Sequence, residues 1–215
     1  MGFPENCDIC VEQKVNAHLY HGTLKLALRP FKGTKPSVLL AGQDPTIAKR
    51  EVYSALDLEN ERGTLYKYIV GKILEPAGFT LDSVYATDLV KCHFPDNQTP
   101  KTIAKKHRIS MKDFLFPFFL NCRRWFLKEV QEIQPKILLS FGEPAHQLLT
   151  EEFGRVVPIG MKDAFSNIYE VKLLGDSTLY APCIHITSKN VHVHYKNLWN
   201  RFVQNLREAV ISRSI

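Results

Sequence analysis

The chain has 215 residues, a length that suits one α/β domain, and we expect residues 1–215 to form a single unit. Hydrophobic residues make up 45% and charged residues 23%, and no run of about 18 apolar residues predicts a membrane span. The formal net charge of +6 favours a polyanionic partner such as a nucleic acid. The N-terminal segment lacks a secretory signal pattern, so we expect a cytoplasmic protein with reduced thiols.

Four apolar runs rich in branched or aromatic residues predict buried strands. In chain order they are SVLLAG (37–42), VYATDLV (84–90), KILLSFG (136–142) and LYAPCIHI (179–186). Between and after them, segments 63–78, 116–135, 143–154 and 197–215 have the apolar spacing or the proline positions of helices. This alternation predicts a three-layer α/β/α fold around a central, mainly parallel four-stranded sheet.

Polar side chains follow the predicted strands at the points where the strands end. Gln43 and Asp44 follow the first strand, Asp88 closes the second, and His185 lies at the end of the fourth. One such end is explained by a turn, and the stretch from Gly42 to Pro45 has turn composition. Because the carboxyl ends of parallel strands share one edge, we expect Asp44, Asp88 and His185 to form a site there.

Segment 96–113, DNQTPKTIAKKHRISMKD, is polar and long for a loop. Its stretch 101–112 carries five lysines and arginines and no acid. The composition predicts either a solvated insertion or an arm that contacts phosphates through Lys105, Lys106 and Arg108.

Four of the five cysteines have a pattern that suits metal binding. Cys7 and Cys10 form a C-x-x-C, Cys92 follows the second strand, and Cys122 lies in a predicted helix. Four thiolates can hold a structural zinc ion or a four-iron cluster, and spacing does not choose between them. Simple burial of Cys92 and Cys122 is the alternative. Cys183 has apolar neighbours and is interpreted as core.

The ordered set of motifs resembles the uracil-DNA glycosylase superfamily, most closely its iron–sulfur branch, called family 4. The motifs are CDIC (7–10), LLAGQDPT (39–46), ATDLVKC (86–92), NCRRW (121–125), ILLSFGEPAHQLL (137–149) and CIHITS (183–188). The resemblance implies a DNA-repair enzyme that hydrolyses the N-glycosidic bond of a damaged base, most often uracil, flipped out of DNA. We expect a monomer that does not associate with membranes.

The resemblance also implies roles for individual residues. Asp44 matches the aspartate that directs the attacking water, within a GQDP sequence closer to the cluster-free family 1. His185 matches the histidine that stabilises charge on the departing base. The implied substrate contacts are Gly42, Gln43, Tyr66, Asp88 and Ser188, with Tyr66 as the stacking aromatic. The implied DNA contacts are Lys105, Lys106, Arg108 and Lys189. Cys7, Cys10, Cys92 and Cys122 match the ligands of a [4Fe–4S] cluster, with structural zinc as the alternative.

Three departures leave the substrate open. Asp88 stands where most relatives have asparagine; an ionised carboxylate suits an edge with two donors, whereas a protonated one could pair with uracil or hypoxanthine. His185 is followed by Ile-Thr-Ser instead of Pro-Ser, and Thr46 replaces a tyrosine. The alternatives are a nucleic-acid-binding relative without glycosylase activity, a base-trapping relative using His107, and a metal-dependent nucleotide hydrolase.

Overall fold

The computed structural model describes residues 7–22, 24–26, 29–45, 54–94, 98–185 and 195–213. The strands are β1 Lys25–Leu26, β2 Phe31–Lys32, β3 Val38–Gly42, β4 Val84–Asp88, β5 Cys92–His93, β6 Ile137–Phe141, β7 Tyr169–Leu173 and β8 Asp176–Cys183. The α-helices are α1 Ile9–Glu12, α2 Thr64–Ile69, α3 Glu75–Ala77, α4 Pro100–His107, α5 Met111–Ile133, α6 Glu143–Glu152, α7 Met161–Ala164 and α8 Lys196–Arg213. A π-helical turn, Val70–Leu74, joins α2 to α3, and 3-10 turns cover Ala55–Asp57 and Leu81–Ser83.

Within the described ranges, the main sheet has six strands in the order β2–β4–β3–β6–β8–β7. Its four central strands, β4, β3, β6 and β8, are mutually parallel and coincide with the four predicted strands. The two edge strands, β2 and β7, are antiparallel to their neighbours. The predicted α/β fold is confirmed, but the count of four strands was low. The sequence did not reveal these edges because β2 is two residues long and β7 is only partly buried.

The central strands separate two apolar layers. Each of β3, β4 and β6 is buried along its whole length, which explains their continuous apolar composition. Successive side chains point to opposite faces: Leu39 packs with α5 and α6, whereas Leu40 packs with α2 and α8. The three layers are therefore helices, sheet and helices.

The basic segment contains helix α4 and the start of helix α5. The Thr99 side chain accepts a hydrogen bond from the Thr102 N–H (3.2 Å) and caps α4, and Ser110 accepts one from the Asp113 N–H (2.9 Å) and caps α5. Residues 100–107 and 111–113 of this predicted insertion are therefore helical, which its loop-like composition did not indicate. In the part of the chain described, no helix has the length and apolar composition required to cross a membrane.

Candidate active site at the carboxyl edge of the sheet

The parallel strands bring three predicted side chains to one edge of the sheet. Gly42 at the end of β3 is paired with Asp88 at the end of β4, and Asp44 follows two residues later. His185 follows the end of β8, which is separated from β3 by β6 alone. Since neighbouring strands are about 4.8 Å apart, the ends of β3 and β8 lie about 10 Å from each other.

The two aspartates are close neighbours because β3 and β4 stay paired beyond their ends. The Leu89 N–H donates to the Gly42 carbonyl oxygen (2.9 Å), and the Val90 N–H donates to the Gln43 carbonyl oxygen (3.0 Å). A Cβ atom on Gly42 would lie 2.1 Å from the Asp88 Oδ1 atom, so the Asp88 carboxyl group occupies the space that this glycine leaves open. Asp44 is 8% and Asp88 5% exposed.

Burial raises the pKa of both carboxyl groups above that of an ordinary aspartate. Desolvation raises the pKa of Asp44 to about 6, opposed by a hydrogen bond from the Gln43 side chain and by attraction to His93. Desolvation and the nearby charge of Asp44 raise the pKa of Asp88 to about 7, opposed by Lys91. Both carboxyl groups therefore hold their protons more tightly than an exposed aspartate does.

His93 is a site residue that sequence reasoning did not single out. Its Nδ1 atom lies 3.2 Å from the Pro45 carbonyl oxygen, and its charge acts on Asp44. The pairing of β5 with β1 places His93 opposite Lys25 in a two-stranded sheet. In the sequence, the position of His93 directly after Cys92, a predicted metal ligand, could have indicated that it lies near the site.

His185 stands over a glycine at the end of the neighbouring strand. Gly142 has a φ of +90°, and a Cβ atom there would lie 3.3 Å from the His185 Cβ atom. The Tyr68 hydroxyl donates to the carbonyl oxygen of Ile184 (2.5 Å) and so anchors the backbone just before His185. His185 is exposed at its edge, yet desolvation by the surrounding protein lowers the pKa of its imidazole. The ring is therefore mainly neutral at neutral pH.

Helix α2 supplies two tyrosines to the apolar layer that contains Leu40. Tyr66 is half-buried on α2, and Tyr68 is buried with its ring 5.6 Å from that of Trp199. The described contacts connect Tyr68, rather than Tyr66, to the strand end that carries His185. The stacking role of Tyr66 stays a prediction.

A buried ion pair joins the chain just after β4 to helix α5. The Lys91 Nζ atom lies 2.7 Å from the Glu129 Oε2 atom, and the side chains are 1% and 0% exposed. The Glu129 carboxylate also accepts hydrogen bonds from the Thr87 (3.0 Å) and Tyr85 (3.2 Å) hydroxyls. This network ties α5 to the strand that carries Asp88.

Three of the four predicted metal ligands interact with one another. The Cys92 thiol acts on the thiols of both Cys10 and Cys122, and all three side chains are buried. The Asn121 Nδ2 atom lies 3.5 Å from the Cys10 sulfur, and the Lys91 backbone N–H donates to the Cys122 sulfur (3.2 Å).

These contacts shift the thiols in opposite directions. The interaction with Cys92 is the main cause that lowers the pKa of Cys10, to about 7, and the main cause that lowers the pKa of Cys122. The same interactions raise the pKa of Cys92. Cys7 is half-buried just before α1. Across the described ranges, no group of three or more His, Cys, Asp or Glu side chains is arranged to hold a metal ion. The donor chemistry of the three converging thiols suits soft-metal binding, but the four-ligand set stays a prediction.

The predicted DNA contacts divide into described and undescribed residues. Lys105, Lys106 and Arg108 are exposed on or next to α4. Ser188 and Lys189, as well as Thr46, lie outside the residues that the structure describes.

A comparison with protein families agrees with this arrangement. Residues 30–206 match the family described as the uracil DNA glycosylase superfamily. The matched range begins just before β2 and ends within α8, so it contains every strand of the six-stranded sheet and all three side chains at its carboxyl edge.

Proposed function

The chain belongs to the uracil DNA glycosylase superfamily, and from this premise we propose that it is a DNA glycosylase that releases uracil from DNA in base-excision repair. The observation that carries the proposal is the placement of Asp44, Asp88 and His185 at one edge of four parallel strands. A base cannot react inside the duplex, so the nucleotide must rotate into this edge before cleavage.

Asp44 has the properties needed at the sugar. Cleavage of the glycosidic bond leaves cationic character on the sugar, and an ionised carboxylate stabilises it and directs a water molecule to C1′. Above a pH of about 6 the Asp44 carboxyl group is mainly ionised, because its pKa is raised only to that value. The Gln43 side-chain amide donates to Asp44 and orients it.

His185 has the properties needed at the departing base. Negative charge grows on a base carbonyl oxygen as the bond breaks, and an N–H donor held nearby stabilises it. The lowered pKa of His185 keeps the imidazole neutral with one N–H to donate. Gly42, Gln43, Asp88 and Tyr66 form the remaining base contacts in this proposal, together with Ser188.

Basic residues account for binding to the DNA backbone. Lys105, Lys106 and Arg108 are exposed, and the chain has a net charge of +6. Contacts between these side chains and phosphates are independent of sequence and weaken with salt. Lys189 belongs to the same proposed set. We also propose that the protein acts as a cytoplasmic monomer.

We further propose that Cys7, Cys10, Cys92 and Cys122 hold a [4Fe–4S] cluster, with structural zinc as the alternative. Support comes from the convergence of three buried thiols and from N–H groups close to two sulfurs. When bound, the cluster would link the N-terminal segment to β5 and α5 and would take no part in base release. Iron and sulfide analysis of anaerobically purified protein, beside zinc analysis, distinguishes the two.

The function is tested by Asp44→Asn on oligonucleotides that carry one uracil, hypoxanthine or xanthine. Wild-type protein should create alkali-sensitive abasic sites, and the variant should lose at least about 100-fold in rate, the lower range for a positioned acid–base group. Full activity in the variant would overturn the role of Asp44. Salt-sensitive DNA binding without release of any base would instead identify a binding protein that has lost the chemistry.

A further inference from the structure

A leucine side chain and an aspartate carboxyl group meet above Gly42. From the position of a Cβ atom on Gly42, the Asp88 Oδ1 atom is 2.1 Å away and the Leu56 Cδ2 atom is 3.0 Å away. Leu56 is half-buried, and its Cδ2 atom and the Asp88 carboxyl oxygen both lie within 3.0 Å of this one position. An apolar group in this position keeps water from the carboxyl oxygens.

The backbone holds Leu56 in this position by an unusual turn. Leu56 has a φ of 58° and Asp57 a φ of 53°, in the left-handed region that leucine rarely adopts. The Asn60 N–H donates to the Asp57 carbonyl oxygen (3.2 Å), and the Asn60 side chain donates to the Asp57 carboxylate (3.2 Å). Strained conformations of this kind persist where surrounding contacts enforce them, often at functional sites.

The charges that face Asp88 come from three elements. Asp44 approaches from the end of β3, Lys91 from the chain after β4, and Glu129 from α5. Glu129 pairs with Lys91 at 2.7 Å and repels an ionised Asp88, so it offsets part of the attraction that Lys91 exerts on Asp88. His93 attracts the ionised Asp44 carboxylate and so lowers its pKa.

We propose that Asp88 meets the flipped base as a neutral carboxylic acid, and that Leu56 is a positioning residue that maintains this state by covering it. A neutral acid presents one O–H donor beside one carbonyl acceptor. It therefore pairs with bases whose edge has an N–H next to a carbonyl group, as uracil and hypoxanthine have. This inference rests on the proposed glycosylase function.

The geometry explains how two adjacent aspartates take different roles. Asp44 must be ionised at the sugar, and Asp88 must keep its proton at the base. Burial raises the pKa of Asp44 to about 6 and that of Asp88 to about 7, and the charge of an ionised Asp44 adds to the second shift. Both requirements are best met between these values, which predicts a bell-shaped pH profile.

The test compares pH profiles of uracil and hypoxanthine release for wild-type protein, Asp88→Asn and Leu56→Ala. Wild-type activity should fall about tenfold per pH unit well above a pH of about 7. Asp88→Asn keeps a donor beside an acceptor without a titrating group, so it should lose this fall. Leu56→Ala admits water and should move the fall to lower pH. Leu81→Ala is the matched control, because Leu81 is also half-buried but lies at the opposite end of β4.

Infrared spectroscopy gives a readout that is independent of activity. The carbonyl band of a protonated carboxylic acid should disappear as the pH rises through about 7, and the part due to Asp88 should be absent in Asp88→Asn. Loss of that band near the ordinary aspartate pKa, or an unchanged fall of activity in Asp88→Asn, overturns the inference while the glycosylase assignment stands. Wild-type protein that releases no base at any pH overturns the proposed function, and the reading of the base by Asp88 with it.

Discussion

The buried ion pair between Lys91 and Glu129 should contribute strongly to stability once it is formed. Replacing Glu129 by leucine leaves the Lys91 ammonium group buried without its carboxylate. Because the side chains are 1% and 0% exposed, solvent does not screen the loss. Removal of one partner from such a pair costs about 3–5 kcal/mol. For a domain of this size, 1 kcal/mol corresponds to about 2–4 °C in Tm, so we expect a decrease of about 6–20 °C.

The double variant Lys91→Met/Glu129→Leu should recover most of this loss. It removes both charges together, and replacing a buried pair by apolar side chains of similar size is often neutral. The hydroxyl groups of Tyr85 and Thr87 lose their acceptor in both variants, which limits the recovery. The expected coupling is therefore large and favourable in a double-mutant cycle.

Urea unfolding of the four cycle members at equal metal content measures these differences. Glu132→Leu is the matched control, because Glu132 also lies on α5 and also pairs with a lysine, Lys32, at 2.7 Å. That pair is exposed, so its loss should cost no more than about 1 kcal/mol. A similar small cost for Glu129→Leu, or additive effects in the double variant, would refute the reasoning.

Two further predictions concern the carboxyl edge of the sheet and the DNA-binding surface. Gly142→Ala should cost about 1–3 kcal/mol in stability and slow base release, because the glycine has a φ of +90° and an added Cβ atom would press on His185. Urea unfolding measures the stability and single-turnover kinetics measure base release, and wild-type values for both would contradict this geometry. If Lys105 and Lys106 contact phosphates, Lys105→Gln and Lys106→Gln should each reduce the slope of log Kd against log salt by about 1 and leave kcat unchanged. Fluorescence anisotropy measures the slope, and an unaltered slope would exclude the contact.

Local patterns were sufficient to predict the central strands. β3, β4 and β6 are buried on both faces, so their apolar composition is continuous and visible in the sequence. The edge strand β7 alternates between buried and exposed positions and lies outside that pattern. Helix α4 was missed because its polar composition resembles that of a loop, although Thr99 and Pro100 form a standard helix start.

The residue types of the candidate site and their order after the strands are properties of the sequence alone. The sequence pattern placed Asp44, Asp88 and His185 at strand ends, where the parallel sheet brings them together. Only the tertiary structure decided that Asp88 fills the space above Gly42, that the Leu56 side chain borders the same space, and that burial raises the pKa of both aspartates. The reason is physical: periodicity reports which residues are buried, whereas proton affinity depends on distances between charges carried by segments far apart in the chain.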